Sequence, residues 1–176
     1  MSCIHSCNLW VKITAIHVQK FRVFALSINM ERQIEIKECN NKDRKSIIAL
    51  LRSENLPVED LPADLHDFFI ALDEDSVAGV VGLEKYGNCG LLRSLVVDKN
   101  YRSEKIGAKL VNQLEERAKA LGVSSLYLFT ETASDYFAKK GYVKIKREEL
   151  PADVRKSSEF SHVCPASAIV MQKYIG

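Results

Sequence analysis

Between Val97 and Lys109 the chain reads VDKNYRSEKIGAK, a run suited to holding an anion. An apolar stretch ends, a polar turn follows, and a helix is expected from Ser103. The first turn of a helix leaves backbone N–H groups unpaired and carries partial positive charge, so it can hold phosphate oxygens. Gly107 lets a ligand approach the backbone closely. Arg102 and Lys105 add formal charge. The turn Asp98–Ala108 ends in Arg102, Ser103, Glu104, Lys105, Ile106, Gly107 and Ala108. The same residues also suit an ordinary capped helix with solvated charges, because one glycine is weak evidence.

Other side chains could do chemistry around such a site. Glu131 ends the expected strand 125–130, and Glu84 lies within the expected strand 77–87. Either carboxylate can take a proton from a nucleophile, and Glu131 also fits a solvated strand end. Arg93 falls in the middle of the expected strand 91–97. A guanidinium there is costly to bury unpaired, so it either grips a ligand carboxylate bidentately or joins an internal ion pair. Arg155 is a second candidate anion clamp. Cys164 has only His162 nearby as a base, and a buried structural cysteine is the better reading.

These residues need elements to position them. IEIKE (34–38) alternates apolar and polar residues as a strand does. Asn40 or Asn41 can cap a helix over 42–54, with Ile47, Ile48, Leu50 and Leu51 on its buried side. Pro57 and Pro62 mark a loop, with a short helix expected near Leu65. Strands are expected at 68–73, 77–87 and 91–97. A helix over 103–121 places Ile106, Leu110, Val111, Leu114, Ala118 and Leu121 on one face, and Gly122 stops it. Strand 125–130 follows that helix, so it can lie parallel to strand 91–97 across a crossover. A short helix from Ser134 to Gly141, a strand at 142–146, a helix beginning near Leu150 and a strand at 167–175 complete the chain. The pattern implies an α/β (α+β) domain, a mixed sheet with helices on both faces.

The chain has 176 residues, 47% hydrophobic and 27% charged, with a net charge of +2. That supports one domain with a core and disfavours nucleic acid as the main partner. Residues 1–30 hold Lys12, Lys20 and Arg22 but no Asp or Glu. They contain no run of the roughly 20 apolar residues a membrane span needs, and the basic residues fall in or after the apolar run, unlike a signal peptide. We expect residues 1–30 to be an extension outside a domain at 31–176, with Met30 a candidate start. Cys3, Cys7, Cys39, Cys89 and Cys164 are scattered, with no metal-ligand spacing. No zinc site or disulfide framework is expected, and a reducing cytoplasm is.

The stretch LLRSLVVDKNYRSEKIGAKLVNQLEERAKALGVSSLYLFT (91–130) closely resembles the acetyl-CoA-binding core of the GNAT N-acetyltransferases, and the resemblance extends over about residues 34–175. That family carries Arg/Gln-x-x-Gly-x-Gly/Ala after a strand; here Lys105 replaces the first glycine. If Lys105 has ordinary helical φ, its N–H can still donate and its ammonium can reach a phosphate. The resemblance implies a mostly antiparallel central sheet whose strands 91–97 and 125–130 splay apart. It implies acetyl-CoA as co-substrate, with the backbone of Leu95, Val96 and Val97 along the pantetheine arm and the amides of 102–108 on the pyrophosphate. An N–H at Leu95 or Val96 would steady the oxyanion.

LFTETASDYFAKKGY (128–142) looks like the amino-acid-directed members, including glutamate N-acetyltransferases. The tail 155–168 is similar to a branch associated with arsenic resistance. Many members place a Tyr four residues before the glycine of the Gly-Phe/Tyr pair, as acid toward the departing thiolate. Here Phe137 stands there, and Tyr136 points about 100° away on a helix. A thiol titrates near about pH 8.5, so the thiolate can leave without a dedicated acid. The resemblance therefore implies an acyltransferase that acetylates a small amino-acid-like amine by direct attack. The alternatives are a protein or peptide amine acetyltransferase and a non-catalytic acetyl-CoA-binding module. No metal, nucleic-acid or membrane partner is implied; a homodimer is the assembly considered.

Overall fold

The alternating segments form seven strands of one sheet, ordered β1-β2-β3-β4-β5-β7-β6. A computed structural model describes residues 32–176, with the side chains of all except His162 and Val163. The expected extension at 1–30 lies outside the described residues. In chain order the elements are β1 (Ile34–Glu38), α1 (Arg44–Ser53), β2 (Phe68–Asp73), β3 (Ser76–Tyr86), β4 (Cys89–Val97), α2 (Ile106–Ala120), β5 (Ser125–Thr130), α3 (Ser134–Ala138), β6 (Val143–Ile145) and β7 (Ile169–Tyr174). Every neighbouring pair is antiparallel except β4–β5. That pair is parallel because α2 carries the chain back across the sheet between them.

Strand alternation divides the core between the two faces. Phe69 and Ala71 of β2 and Leu92 of β4 pack with Ile106, Leu110, Val111, Leu114 and Ala118 of α2. Phe68 and Ile70 pack with Ile47, Leu50 and Leu51 of α1 on the other face. Burying each large aliphatic side chain contributes roughly 1.5–3 kcal/mol. Helices on both faces of a mostly antiparallel sheet are thus the consequence of period-2 strands meeting period-3.6 helices. Leu121 of the expected α2 stripe is only partly buried, just past the helix end.

Three expectations change. The long helix begins at Ile106, not Ser103, because Ser103 (φ +75°) and Lys105 (φ +59°) are left-handed. The tail after Leu150 is not one helix but a short 3₁₀ turn at 154–156 and a π-helical turn at Glu159–Val163. Near Leu65 the chain turns without a helix, and that side chain plugs the α1 face.

Candidate active site

The centre of the sheet opens where β4 leaves β5. Pairing between them covers only Cys89–Leu91 against Ser125–Tyr127. Immediately beyond, β4 bulges: Gly82 faces Arg93 and Val80 faces Val96, so Ser94 and Leu95 together oppose Val81. Ser94 takes φ +54° to make this turn. A bulge bends the strand and raises its twist, and here it carries the end of β4 away from β5. The expected splay of strands 91–97 and 125–130 is therefore present, with a local backbone cause.

The gap is a cavity of about 400 Å³, whose walls include Leu95 of β4, Phe129 of β5 and Phe137 of α3. Val96 and Val97 continue the β4 wall toward the α2 loop, paired on their other side with Val80 and Gly79. Glu131 and Cys164 also line the cavity. Burial is the main cause pushing the Cys164 thiol up to about 12. A raised thiol pKa disfavours the thiolate that a nucleophilic cysteine needs.

At the α2 end lies the loop 98–105. The Asp98 side chain accepts from the Asn100 N–H at 2.8 Å, turning the chain after β4. Arg32 ties Glu104 at 2.9 Å, and Arg102 pairs with Glu54 just past α1. Among the described residues, the amides of Arg102, Ser103, Glu104, Lys105, Ile106 and Gly107 have no acceptor within the protein. Ala108 differs from its neighbours: its N–H donates to the Lys105 carbonyl at 3.0 Å and closes the first helical turn. The free donors thus number one fewer than the sequence implied, and they fit a diphosphate group. Lys105 corrects the expectation of ordinary helical φ. It occupies the left-handed region that the motif glycine would adopt freely, at a cost of about 1–2 kcal/mol.

Gly107 has a neighbour the sequence did not disclose. A Cβ there would stand 3.2 Å from the Tyr136 hydroxyl. Tyr136 therefore lies over the start of α2 rather than away from the site. Phe137 beside it is buried, edge-on to Tyr136 and Tyr142 with centroids 5.2 and 5.3 Å away.

The opposite end of the cavity is charged. The Arg93 side chain is only 2% exposed. Its guanidinium meets Asp60 Oδ2 at 2.6 Å, Glu84 Oε1, and Glu159 Oε1 at 3.5 Å, with the Asp60 carbonyl at 3.3 Å. Burial opposes its charge, and the three carboxylates outweigh that and raise its pKa. Of the two roles the sequence left open, this geometry is the internal ion pair. Glu84 also accepts from the Tyr86 hydroxyl at 2.6 Å and does not line the cavity. Arg155 is exposed and donates to the carbonyls of Leu150 and Glu148, outside the cavity lining. Sequence reasoning missed Glu159 and Asp60. Glu159 is 8% exposed and lines the cavity. Desolvation pushes its carboxyl up to about 7, Arg93 pulls it down, and Asp60 and Glu84 push it up. No pattern within the tail marks it, since its partners lie 66 or more residues away.

Among the described residues, no group of three or more His, Cys, Asp or Glu could hold a metal, and no helix is long and apolar enough to cross a membrane.

Residues 32–144 match the model of the acetyltransferase (GNAT) family. The chain is 24% identical over 154 residues to the amino-acid acetyltransferase of Neisseria meningitidis, covering 78% of this chain and 34% of that protein. It thus spans about a third of the length of that relative. Among solved structures it is similar to N-acetylglutamate synthase from Neisseria gonorrhoeae complexed with coenzyme A and N-acetyl-glutamate (TM-score 0.71, 19% identity, 81% of this chain, 35% of that one). It is also similar to a GNAT-family acetyltransferase from Staphylococcus aureus Mu50 (TM-score 0.68, 24% identity, 81% and 99%).

Proposed function

The chain belongs to the GNAT acetyltransferase family, and on that basis we propose that it moves the acetyl group of acetyl-CoA onto the amine of a small, amino-acid-like molecule. The observation that carries this reading is the cavity opened by the β4 bulge, with free amides at one end and buried carboxylates at the other. Acetyl-CoA supplies an activated acyl group and a good leaving thiolate. The chain's part is to bind, align and deprotonate.

The amides of Arg102–Gly107 hold the pyrophosphate, with the Arg102 and Lys105 side chains and the α2 N-terminus adding positive potential. The edge of β4 from Leu95 to Val97, released from β5, offers backbone groups to the pantetheine arm. An N–H at Leu95 or Val96 steadies the oxyanion. We assign direct attack, in keeping with the burial that disfavours the Cys164 thiolate. Phe137 has no proton to give, so the thiolate leaves unassisted or takes its proton from solvent. Glu131, exposed at the rim, is the group we assign to contacts with the acceptor outside the buried cluster. Work in a reducing cytoplasm fits the free thiols of Cys39, Cys89 and Cys164.

The test is thiol release from acetyl-CoA against amino acids, an arsenic-containing amino-acid analogue, and peptides. Small amino-acid-like amines should exceed peptides in kcat/KM by at least about tenfold, a difference of about 1.4 kcal/mol. Peptides ahead would make this a protein or peptide acetyltransferase. Acetyl-CoA binding with no amine-dependent release would make it a binding module.

A further inference from the structure

We propose that Glu159 takes the proton from the acceptor's ammonium group, held for that task by Arg93, Asp60 and Glu84. The inference rests on the transferase reading above and names a residue for the step that reading left open.

One guanidinium faces three carboxylates. Asp60 lies at 2.6 Å from it and Glu84 is directly hydrogen bonded, whereas Glu159 approaches only to 3.5 Å. Glu159 alone of the three accepts no hydrogen bond from Arg93, while its side chain, 11% exposed, is nearly as desolvated as that of Asp60 at 9%. The cluster also has more acceptors than donors: Asp60 Oδ1 is buried with no hydrogen-bond partner, and its Oδ2 is shared with Arg93 and the Ser158 hydroxyl. A surplus of negative charge favours placing a proton on the weakest member.

Access selects the same residue. Of the three carboxylates, only Glu159 lines the cavity. The charged and titratable groups facing it are Arg93 from β4, Glu84 from β3 with Tyr86 attached, Asp60 from the loop before β2, and Cys164 from its own turn. Together they leave its carboxyl titrating at about 7, where a base can both accept and release a proton. In the step, the ammonium proton passes to the Glu159 carboxylate and leaves the nitrogen lone pair free. The N–C bond to the acetyl carbon forms and the C–S bond breaks. The nitrogen's surplus proton goes to the departing thiolate, directly or through solvent, and Glu159 later returns its own proton to water. Asp60 and Glu84 act as positioning residues because neither lines the cavity, and Arg93, which lines it beside Glu159, positions that carboxylate.

The experiment compares wild type with Glu159→Gln in pH profiles of kcat/KM, beside acetyl-CoA binding by calorimetry. Loss of the step near pH 7, a fall of at least about 100-fold and an unchanged acetyl-CoA Kd are expected. An acceptor whose nitrogen is already neutral, such as hydroxylamine, should lose less than about tenfold, since it has no proton to surrender. An unmoved profile, or equal losses with both acceptors, overturns the inference. So does Glu131→Gln abolishing the step while Glu159→Gln keeps it. If Glu159→Gln does not fold, Glu159→Asp serves: a displaced step supports the assignment and an unmoved one overturns it. Wild-type protein that releases no thiol with any amine removes both the transferase reading and this one; an active wild type with an indifferent Glu159 removes this one alone.

Discussion

Replacing Arg93 by methionine should destabilise the fold in a pH-dependent way. The side chain is 2% exposed and its guanidinium is enclosed by Asp60, Glu84 and Glu159. Removing it leaves three carboxylates facing one another with no cation, and breaking a buried pair costs about 3–5 kcal/mol. The pH dependence follows from Glu159, whose carboxyl is already raised from 4.5 to about 7 by burial. A carboxyl raised in the folded state contributes stability below its unfolded value and loses it as pH rises through the folded one. Arg93 pulls that folded value down, so without it the value climbs above 7. At pH 6 Glu159 is mostly neutral in both proteins; at pH 9 the variant alone must ionise it without a partner or keep it protonated. At 3.5 Å the lost attraction is roughly 5 kcal/mol with an effective dielectric constant of 20. Side-chain relaxation will absorb much of this, so at least about 1.4 kcal/mol of extra loss at pH 9 over pH 6 is expected. Urea unfolding of both proteins at the two pH values measures it. A destabilisation below about 1 kcal/mol, or one equal at pH 6 and pH 9, would refute the buried-cluster account.

Lys105→Gly should leave stability unchanged or raise it by up to about 1 kcal/mol, because relief of a left-handed φ of +59° is partly offset by glycine's greater unfolded freedom; a larger loss by thermal unfolding would mean the lysine side chain is holding the loop. Cys164→Ala should keep kcat within about threefold and show no burst of acyl-enzyme. Abolished turnover with intact folding would replace direct attack by a covalent route.

The features legible in the sequence were those written locally. Period 2 in IEIKE, the short apolar run FFIALD and period 3.6 from Ile106 to Ala118 mark the strands, α2 and the faces they bury. The β4–α2–β5 crossover followed from order alone. Backbone devices were harder. Ser94, Ser103 and Lys105 all take positive φ without being glycine, so nothing in residue type announced the bulge that opens the cavity or the late start of α2. Long-range charge was the least legible. Arg93 could be flagged because an arginine inside an apolar strand is conspicuous, but Asp60 sits among loop acids and Glu159 in a polar tail, where carboxylates normally face water. What changes their chemistry is placement: residues 33 and 66 positions from Arg93 converge on one guanidinium and lose their solvent. A sequence rule can therefore find the odd cation in a strand, but it must ask which distant acids would compensate it. When those acids outnumber it, the one held least firmly and facing the cavity is the one to test as the base.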